Sequence, residues 1–489
     1  MTDMTAIPQR PATSRLDEAA NYAEWAAQAC IRDRIGGKLA WRKQDASPDF
    51  DYRSIRKRLE QLNLLRENGD DHGLLFTLNE GIHGNMDGMA NERLWREALS
   101  GTKFLITEYV EAVSEALTYL ARPEVDSIPD DEKRDFFERA LHCYGCSSLM
   151  LSGSGSFLYF HIGVVRAMAE QRLLPNVIAG SSGGAIVGAV VCTHPDTELA
   201  TLLSAHEINR LISIREMKSS GSEPQTQREV VATVEALIPD LTFQEAFELT
   251  RRHLNVSVAP AEKHQNGRML NAITSPNVFI REAVLASCAV PGVYPPVQLM
   301  AKDASGARVP YLPSRRWIDG SVTHDLPTKR LSRLYGVNHH IVSQANPLGL
   351  PFATETKLNI SPFRVLRQAS LDTFKALLNV HMTLWDKPMS MFPQLHRMAA
   401  ITQAVINQEY SGDINIIRPI MLWSPSKLLS KPSLAEMNDL IELGERRTWP
   451  KLEMIRVQTL ISRTLAAILH DSEAASPSTA LSLAKRRPH

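Results

Sequence analysis

The chain has 489 residues, enough for two or three packed units of the usual roughly 100–200 residues. A composition 44% hydrophobic and 22% charged excludes a disordered or fibrous chain. Lys+Arg and Asp+Glu both number 54, so no global field draws in nucleic acid, which is excluded as a partner.

Residues 1–15 are polar, hold two prolines and read as a flexible leader. They lack the apolar run of a secretory signal, and no stretch reaches the roughly 20 apolar residues needed to cross a bilayer. The expectation is a cytoplasmic protein, soluble or peripheral on a lipid surface. From 16 to 142 helical spacing predicts an N-terminal helical domain. In SIRKRLEQLNLLRENG, Ile55, Leu59, Leu62 and Leu65 recur every three or four residues, and Gly69 follows as a stop. Trp25, Trp41, Tyr52 and Trp95 are read as core in preference to a ligand box. Cys143 and Cys146 form a CxxC, read as two thiols because no second pair and no histidine at metal-like spacing accompanies them. With Cys30, Cys192 and Cys288 they make an odd, scattered set, which argues against a disulfide framework and for a reducing compartment.

The pattern changes at 147. Ser147 to Leu151 is a short apolar strand, SGSGS a turn, Leu158 to Arg172 a helix carrying Val164, Val165 and Met168, and Val177 to Ala179 a second strand. Such a β-α-β unit predicts parallel strands with a right-handed crossover and both C-termini at one sheet edge, where ligands bind in open α/β sheets. Pro195 to Leu241 is helical but broken by KSSGSEPQTQR, an exposed loop that is either a lid or a plain surface insertion. A strand follows at HLNVSVAP, a helix at Val278–Cys288, a strand at Trp317–Ile318 ending in DGS, and a strand at His339–Ser343. The α/β domain is thus expected over 147–345. A mainly helical C-terminal region is expected over 346–470. In it Ser361-Pro362 opens a helix placing Phe363, Leu366, Phe374, Leu377 and Leu378 on one side, docked on the core in preference to a membrane. Residues 471–489 read as a disordered tail.

Gly180-Ser181-Ser182-Gly183-Gly184 satisfies G-x-S-x-G between an apolar strand and the small-residue helix AIVGAVV. A serine hydroxyl is a weak nucleophile, so Ser182 must project from a sharp turn, with Gly180 and Gly184 leaving room and a helix N-terminus favouring the charge that develops. Acyl transfer also needs donors for an oxyanion, and the turn of Gly153, Ser154, Gly155 and Ser156 can supply main-chain N–H groups. It is not a nucleotide loop: Leu158 stands where G-x-G-x-x-G needs glycine, and no Walker Gly-Lys-Ser/Thr follows. Asp319-Gly320-Ser321 stands at another strand end, where a carboxylate can accept the Ser182 proton. A conventional triad would need a histidine: His324, His339, His340, His381 and His396 are each better read as core or surface, and the residues alone leave the triad open. No metal or cofactor is called for.

The glycine-rich turn, the G-x-S-x-G about thirty residues on and the later D-G-small together resemble the patatin-like phospholipases, acyl hydrolases built on a Ser/Asp dyad. Closer still is the triacylglycerol lipase branch, with a DUF3336-type helical domain before the patatin domain. NYAEWAAQA, FDYRSIRKRL, IHGNMDGMAN and SGTKFLITEYV resemble that first domain; LLPNVIAGSSGG, LNVSVAP, RRWIDGSVTHDLP and VNHHIVSQANP resemble the second. The resemblance runs from about residue 20 to 460. It implies an α/β fold, a three-layer α/β/α sandwich on a mostly parallel sheet, with Ser182 as nucleophile, Asp319 as proton acceptor and Gly153 to Ser156 as oxyanion loop. One departure is Ser154, which interrupts a run of three glycines and can still donate its N–H if its φ is negative. The implied function is a serine hydrolase of glycerolipid carboxylic esters, foremost a triacylglycerol lipase. Its partner is the glycerolipid substrate, and peripheral contact with a membrane or lipid droplet is allowed. The rivals are a phospholipase A or lysophospholipase, a lysophospholipid acyltransferase, and a catalytically silent lipid-surface scaffold.

Overall fold

The computed structural model describes residues 16–82, 86–218, 225–262, 267–291, 293–320, 325–347, 349–350, 411–420, 428 and 430–475. The chain forms two compact units, residues 1–146 with 449–489, and residues 147–448.

The first unit is mainly helical over its described residues, with α1 (Tyr22–Ile35), α2 (Lys38–Lys43), α3 (Tyr52–Glu67), α4 (Asp71–Gly81), α5 (Phe104–Leu120) and α6 (Asp130–Tyr144). At the start of α3 the Asp51 side chain accepts from the N–H groups of Arg53 and Ser54 at 3.1 and 3.2 Å, satisfying donors that the helix itself leaves unpaired. Ile55, Leu59 and Leu62 then turn to one face and are buried. They share a core with Leu105, Val113 and Leu117 of α5 and Phe136 of α6. Trp41, Tyr52 and Trp95 pack partly buried against it, and Trp25 is buried. Past the end of α2, the buried Lys103 ammonium donates to the carbonyls of Trp41 and Gln44, both at 2.8 Å.

The second unit is α/β. Its strands are β1 (Cys146–Leu151), β2 (Val177–Gly180), β3 (His253–Pro260), β4 (Arg268–Leu270), β5 (Met300–Lys302), β6 (Arg308–Pro310), β7 (Trp317–Asp319), β8 (Val337–Gln344) and β9 (Ile414–Ile417). Seven of them form one sheet in the order β4-β3-β2-β1-β8-β9, with β7 joined to β3. The pairs β1–β2, β2–β3 and β8–β9 are parallel, while β4 and β7 run antiparallel to β3. β5 and β6 make a separate antiparallel pair. Every residue of β2 is buried, as in a mostly parallel sheet covered by helices on both faces. Those helices are α7 (Leu158–Glu170), α8 (Gly183–Thr193), α9 (Asp196–Leu202), α10 (Ala205–Lys218), α11 (Gln225–Leu237), α12 (Phe243–Thr250), α13 (Ile280–Ser287) and α14 (Thr328–Tyr335); α15 (Leu434–Ala475) follows β9.

Among the described residues of 346–470, β9 is a strand of the sheet, with Ile414 and Ile416 buried, and α15 makes the C-terminal end helical, its residues from Trp449 onward belonging to the first unit. Two alternating apolar residues are too short a signal to stand out beside helical flanks. The expected tail starts later than 471, because α15 continues to Ala475. The leader, the Ser361-Pro362 helix and residues 476–489 lie outside the described residues.

Candidate active site

β2 ends at Gly180, which is in register with Leu151 of β1 and Val256 of β3. The chain turns at once into α8, and Ser182 takes φ 51° and ψ −124° in the turn. A non-glycine residue adopts such a conformation at a cost of about 1–3 kcal/mol, and only where its surroundings fix it. Here the Ser182 N–H donates to Ser287 Oγ at 2.9 Å, and that hydroxyl donates to the Ser257 carbonyl at 2.8 Å. The Ser181 N–H donates to the Leu151 carbonyl at 3.2 Å. A side chain at Gly180 or Gly184 would run into the backbone of Gly184 or of Leu151 and Ser152, so both glycines of the motif are spatial requirements.

Asp319 arrives by a route that its sequence neighbourhood does not reveal. Antiparallel pairing of β7 sets it opposite Val258, two residues beyond Val256 on β3, and therefore just past the C-terminal end of β2. It is 2% exposed, and its N–H donates to the Ala289 carbonyl at 3.0 Å. Gly320 follows, with the Ser257 backbone against the space a Cβ would need. Ser182 and Asp319 line one cavity of about 260 Å³, together with Gly153, Ser154, Gly155 and Ser156. Ser321 and His324 lie outside the described residues.

The expected oxyanion loop differs in one member. The Gly153 N–H donates to Asp325 Oδ1 at 2.7 Å and is therefore committed away from any oxyanion. Ser154 has φ −146°, negative as a donating serine requires, and its own hydroxyl is buried without a partner among the described residues. Gly155 has φ +52° and the Leu428 backbone beside it, a position suited to glycine alone. Among the described residues the N–H groups of Ser154, Gly155 and Gly183 make no hydrogen bond. Gly183, first residue of α8 and on the cavity wall, is a candidate donor that sequence reasoning missed; its place directly after Ser182 was the available signal.

The rest of the wall is mainly apolar, with Leu158, Ile186, Ile212, Val230, Pro291 and Tyr294. Ile212 is on α10 and Val230 on α11, the two helices that flank KSSGSEPQTQR; residues 219–224 of that segment are outside the described residues. Lys431 and Glu216, both on the wall, pair at 2.6 Å. Cys288 lines the cavity in hydrogen-bond contact with Ser182, and burial, with the charge of Asp319, pushes its thiol well up. Sequence reasoning also missed Asp325, Asn346 and Ser287. Asn346 follows the end of β8 at the predicted ligand edge, whereas nothing local marks Asp325 or Ser287.

Among the described residues that line the cavity there is no histidine. His339 and His340 are hydrogen-bonded to Ser147 Oγ and Ser148 Oγ, each at 2.9 Å, at the other end of β1. His381 and His396 lie outside the described residues. His161 is buried under the loop. Its Nε2–H donates to the Ser152 carbonyl at 3.0 Å and its Nδ1 accepts from Ser343 Oγ at 2.7 Å. Burial holds it down to about 3, so it stays neutral and is no general base. Cys143 and Cys146 are not joined in a disulfide, and the described residues hold no group of three or more His, Cys, Asp or Glu placed for a metal. No described helix is long and apolar enough to cross a membrane.

A strained serine between a parallel strand and a helix, sharing an apolar cavity with a buried aspartate, defines an α/β protein with a serine-elbow site. A model described as patatin-like phospholipase matches residues 149–331, and one described as a domain of unknown function, DUF3336, matches residues 5–142. The chain thus carries a patatin-like phospholipase domain behind a DUF3336 domain. It is 33% identical over 476 residues to triacylglycerol lipase 4 of Saccharomyces cerevisiae, covering 91% of this chain and 51% of that one. It is 32% identical over 458 residues to triacylglycerol lipase SDP1L of Arabidopsis thaliana, covering 90% and 56%, and 31% identical over 496 residues to a patatin-like phospholipase domain-containing protein of Cryptococcus neoformans, covering 95% and 56%. The chain spans about half to two thirds of the length of the curated relatives it matches. Among solved structures, that of VipD from Legionella pneumophila matches at 14% identity over 67% of each chain with a TM-score of 0.28, too slight a likeness to bear on the fold.

Proposed function

We propose that this protein hydrolyses carboxylic esters of glycerolipids, with triacylglycerol as the leading substrate, through a dyad of Ser182 and Asp319. The observation that carries the reading is the pair itself, a strained serine and a buried carboxylate facing one apolar cavity that holds no histidine among its described residues. Asp319 takes the Ser182 proton as Oγ attacks the ester carbonyl carbon. The N–H groups of Ser154, Gly155 and Gly183 hold the tetrahedral oxyanion, each such donor typically contributing on the order of a hundredfold or more in rate. Collapse expels the alcohol, which takes the proton from Asp319; a water then gives Asp319 a proton as it attacks the acyl-enzyme, and Ser182 Oγ leaves with that proton as the fatty acid is freed. The apolar lining suits an acyl chain, and the names of the yeast and plant relatives support triacylglycerol over other esters. Peripheral contact with a lipid surface is supported by Met217 and Val293, 80% and 47% exposed on segments that border the cavity wall.

The test is purified protein against triacylglycerol, diacyl phospholipid and lysophospholipid, beside Ser182→Ala and Asp319→Asn. Hydrolysis should be greatest on triacylglycerol and fall about a thousandfold or more in either variant, with an unchanged circular dichroism spectrum. Substantial residual activity in Asp319→Asn would remove the dyad, and preference for a phospholipid would move the substrate class.

A further inference from the structure

The proposed oxyanion loop has a mechanical difficulty. Residues 152–156 are serine and glycine only, so no large side chain anchors the loop, yet its donors act only if they are held at hydrogen-bonding distance from the developing charge. Ser152 is held at the loop's start by His161 and the Ser343 carbonyl, and one residue outside the loop holds the Gly153 N–H that follows. Asp325 stands six positions after Asp319, is 1% exposed, and bonds to three separate segments. Its Oδ1 accepts the Gly153 N–H at 2.7 Å, its Oδ2 accepts from Asn346 Nδ2 at 3.0 Å, and its main-chain carbonyl accepts from Ser181 Oγ at 3.1 Å. The loop, the nucleophile's turn and the chain leaving β8 are thereby tied to one side chain and its backbone. Ser152 Oγ completes the frame by accepting the N–H groups of Ala345 and Asn346 at 2.9 and 3.2 Å.

We propose that Asp325 is a positioning residue for ester hydrolysis: by holding the Gly153 N–H it turns the following N–H groups of Ser154 and Gly155 toward the oxyanion. The inference rests on the reading of Ser182 as nucleophile given above. Burying a carboxylate costs several kcal/mol, so a residue with no task at this place would be served better by an apolar side chain. His161 holds the same peptide by its Ser152 carbonyl, so the Asp325 bond is the second of the two that fix its plane, and the next two donors follow from that plane. Asp325 itself is not among the described residues that line the cavity.

The test compares the parent, Asp325→Ala and Asp325→Asn in triacylglycerol hydrolysis and in binding of an alkyl trifluoromethyl ketone, whose adduct with a serine carries an oxyanion. In Asp325→Ala, kcat should fall tenfold to a hundredfold with KM within about twofold, and the ketone should weaken by the same factor. Asp325→Asn keeps an acceptor oxygen for the Gly153 N–H and should recover both to within about threefold. A fully active Asp325→Ala, or one in which KM rises while kcat holds, would overturn the proposal. Should the alanine variant not fold, the asparagine variant decides: a tenfold loss there would make the charge, not the Gly153 bond, the requirement, and the proposal would fall. A parent without Ser182-dependent hydrolysis would sink the reading of the site and this inference with it, whereas an active Asp325→Ala sinks this inference alone.

Discussion

Two buried groups beneath the site carry opposite dependences on pH. Burial pushes Asp325 up from 3.8 to about 7, with hydrogen bonds from Asn346 and Gly153 opposing the rise and the charge of Asp319 adding to it. A carboxyl whose folded value is raised binds more protons in the folded state, so its contribution is fully present below 3.8 and is lost as pH rises through about 7. His161 behaves in the reverse sense. Burial lowers it from 6.5 to about 3, so its contribution is present above 6.5 and is lost as pH falls through about 3. Against the parent, Asp325→Asn should therefore gain relative stability as pH is raised from about 4 to 7, and His161→Asn should gain as pH is lowered from about 6.5 toward 3. Urea midpoints across that range read both. A pH slope equal to the parent's in the Asp325 variant would mean that this carboxyl titrates near its ordinary value in the fold.

The elements explain which parts of the site could be read in the sequence. The turns at 152–156 and 180–184 are marked locally, by an apolar strand before and a helix after, so their meeting at one edge follows from parallel pairing of β1 and β2. Asp319 was legible as a carboxylate at a strand end, but the pairing that brings it to Ser182, β7 antiparallel on the last residues of β3, is non-local and leaves no periodic trace in three residues. Asp325 was invisible for the same reason, since its partners at Gly153 and Asn346 are 172 and 21 positions away. The cavity wall has a similar origin, in the packing of α10 against α11, which the polar sequence between them does not disclose. That wall makes a prediction. If Val230 borders the acyl chain, Val230→Trp should fill much of a 260 Å³ cavity and lower kcat/KM for long-chain esters about tenfold relative to short-chain esters. An unchanged chain-length profile would put the acyl chain elsewhere.

At the scale of the whole molecule, helical spacing at both ends of the chain was plain, but spacing cannot say which core a helix joins. α15 shows the consequence. It holds Pro450 within its length, where a missing N–H and ring clash weaken the helix, and the boundary between the two units falls beside it, at Thr448 and Trp449. Before it, Ile441 and Met437 are buried in the α/β unit; after it, Val457, Ile461 and Leu465 belong to the same core as α3, α5 and α6. The stability of the helical unit thus depends on a segment more than 300 positions from the helices it packs with, a long-range closure that local pattern does not disclose. Ile461 is 2% exposed, so Ile461→Ala should cost about 2–5 kcal/mol through the lost methyl groups and the cavity they leave. Hydrogen exchange followed by mass spectrometry should register that loss as reduced protection in α3 and α5, with β1 and β2 unchanged and Ser182-dependent hydrolysis retained at low temperature. Protection falling first in β1 and β2 would instead assign the second half of α15 to the α/β core.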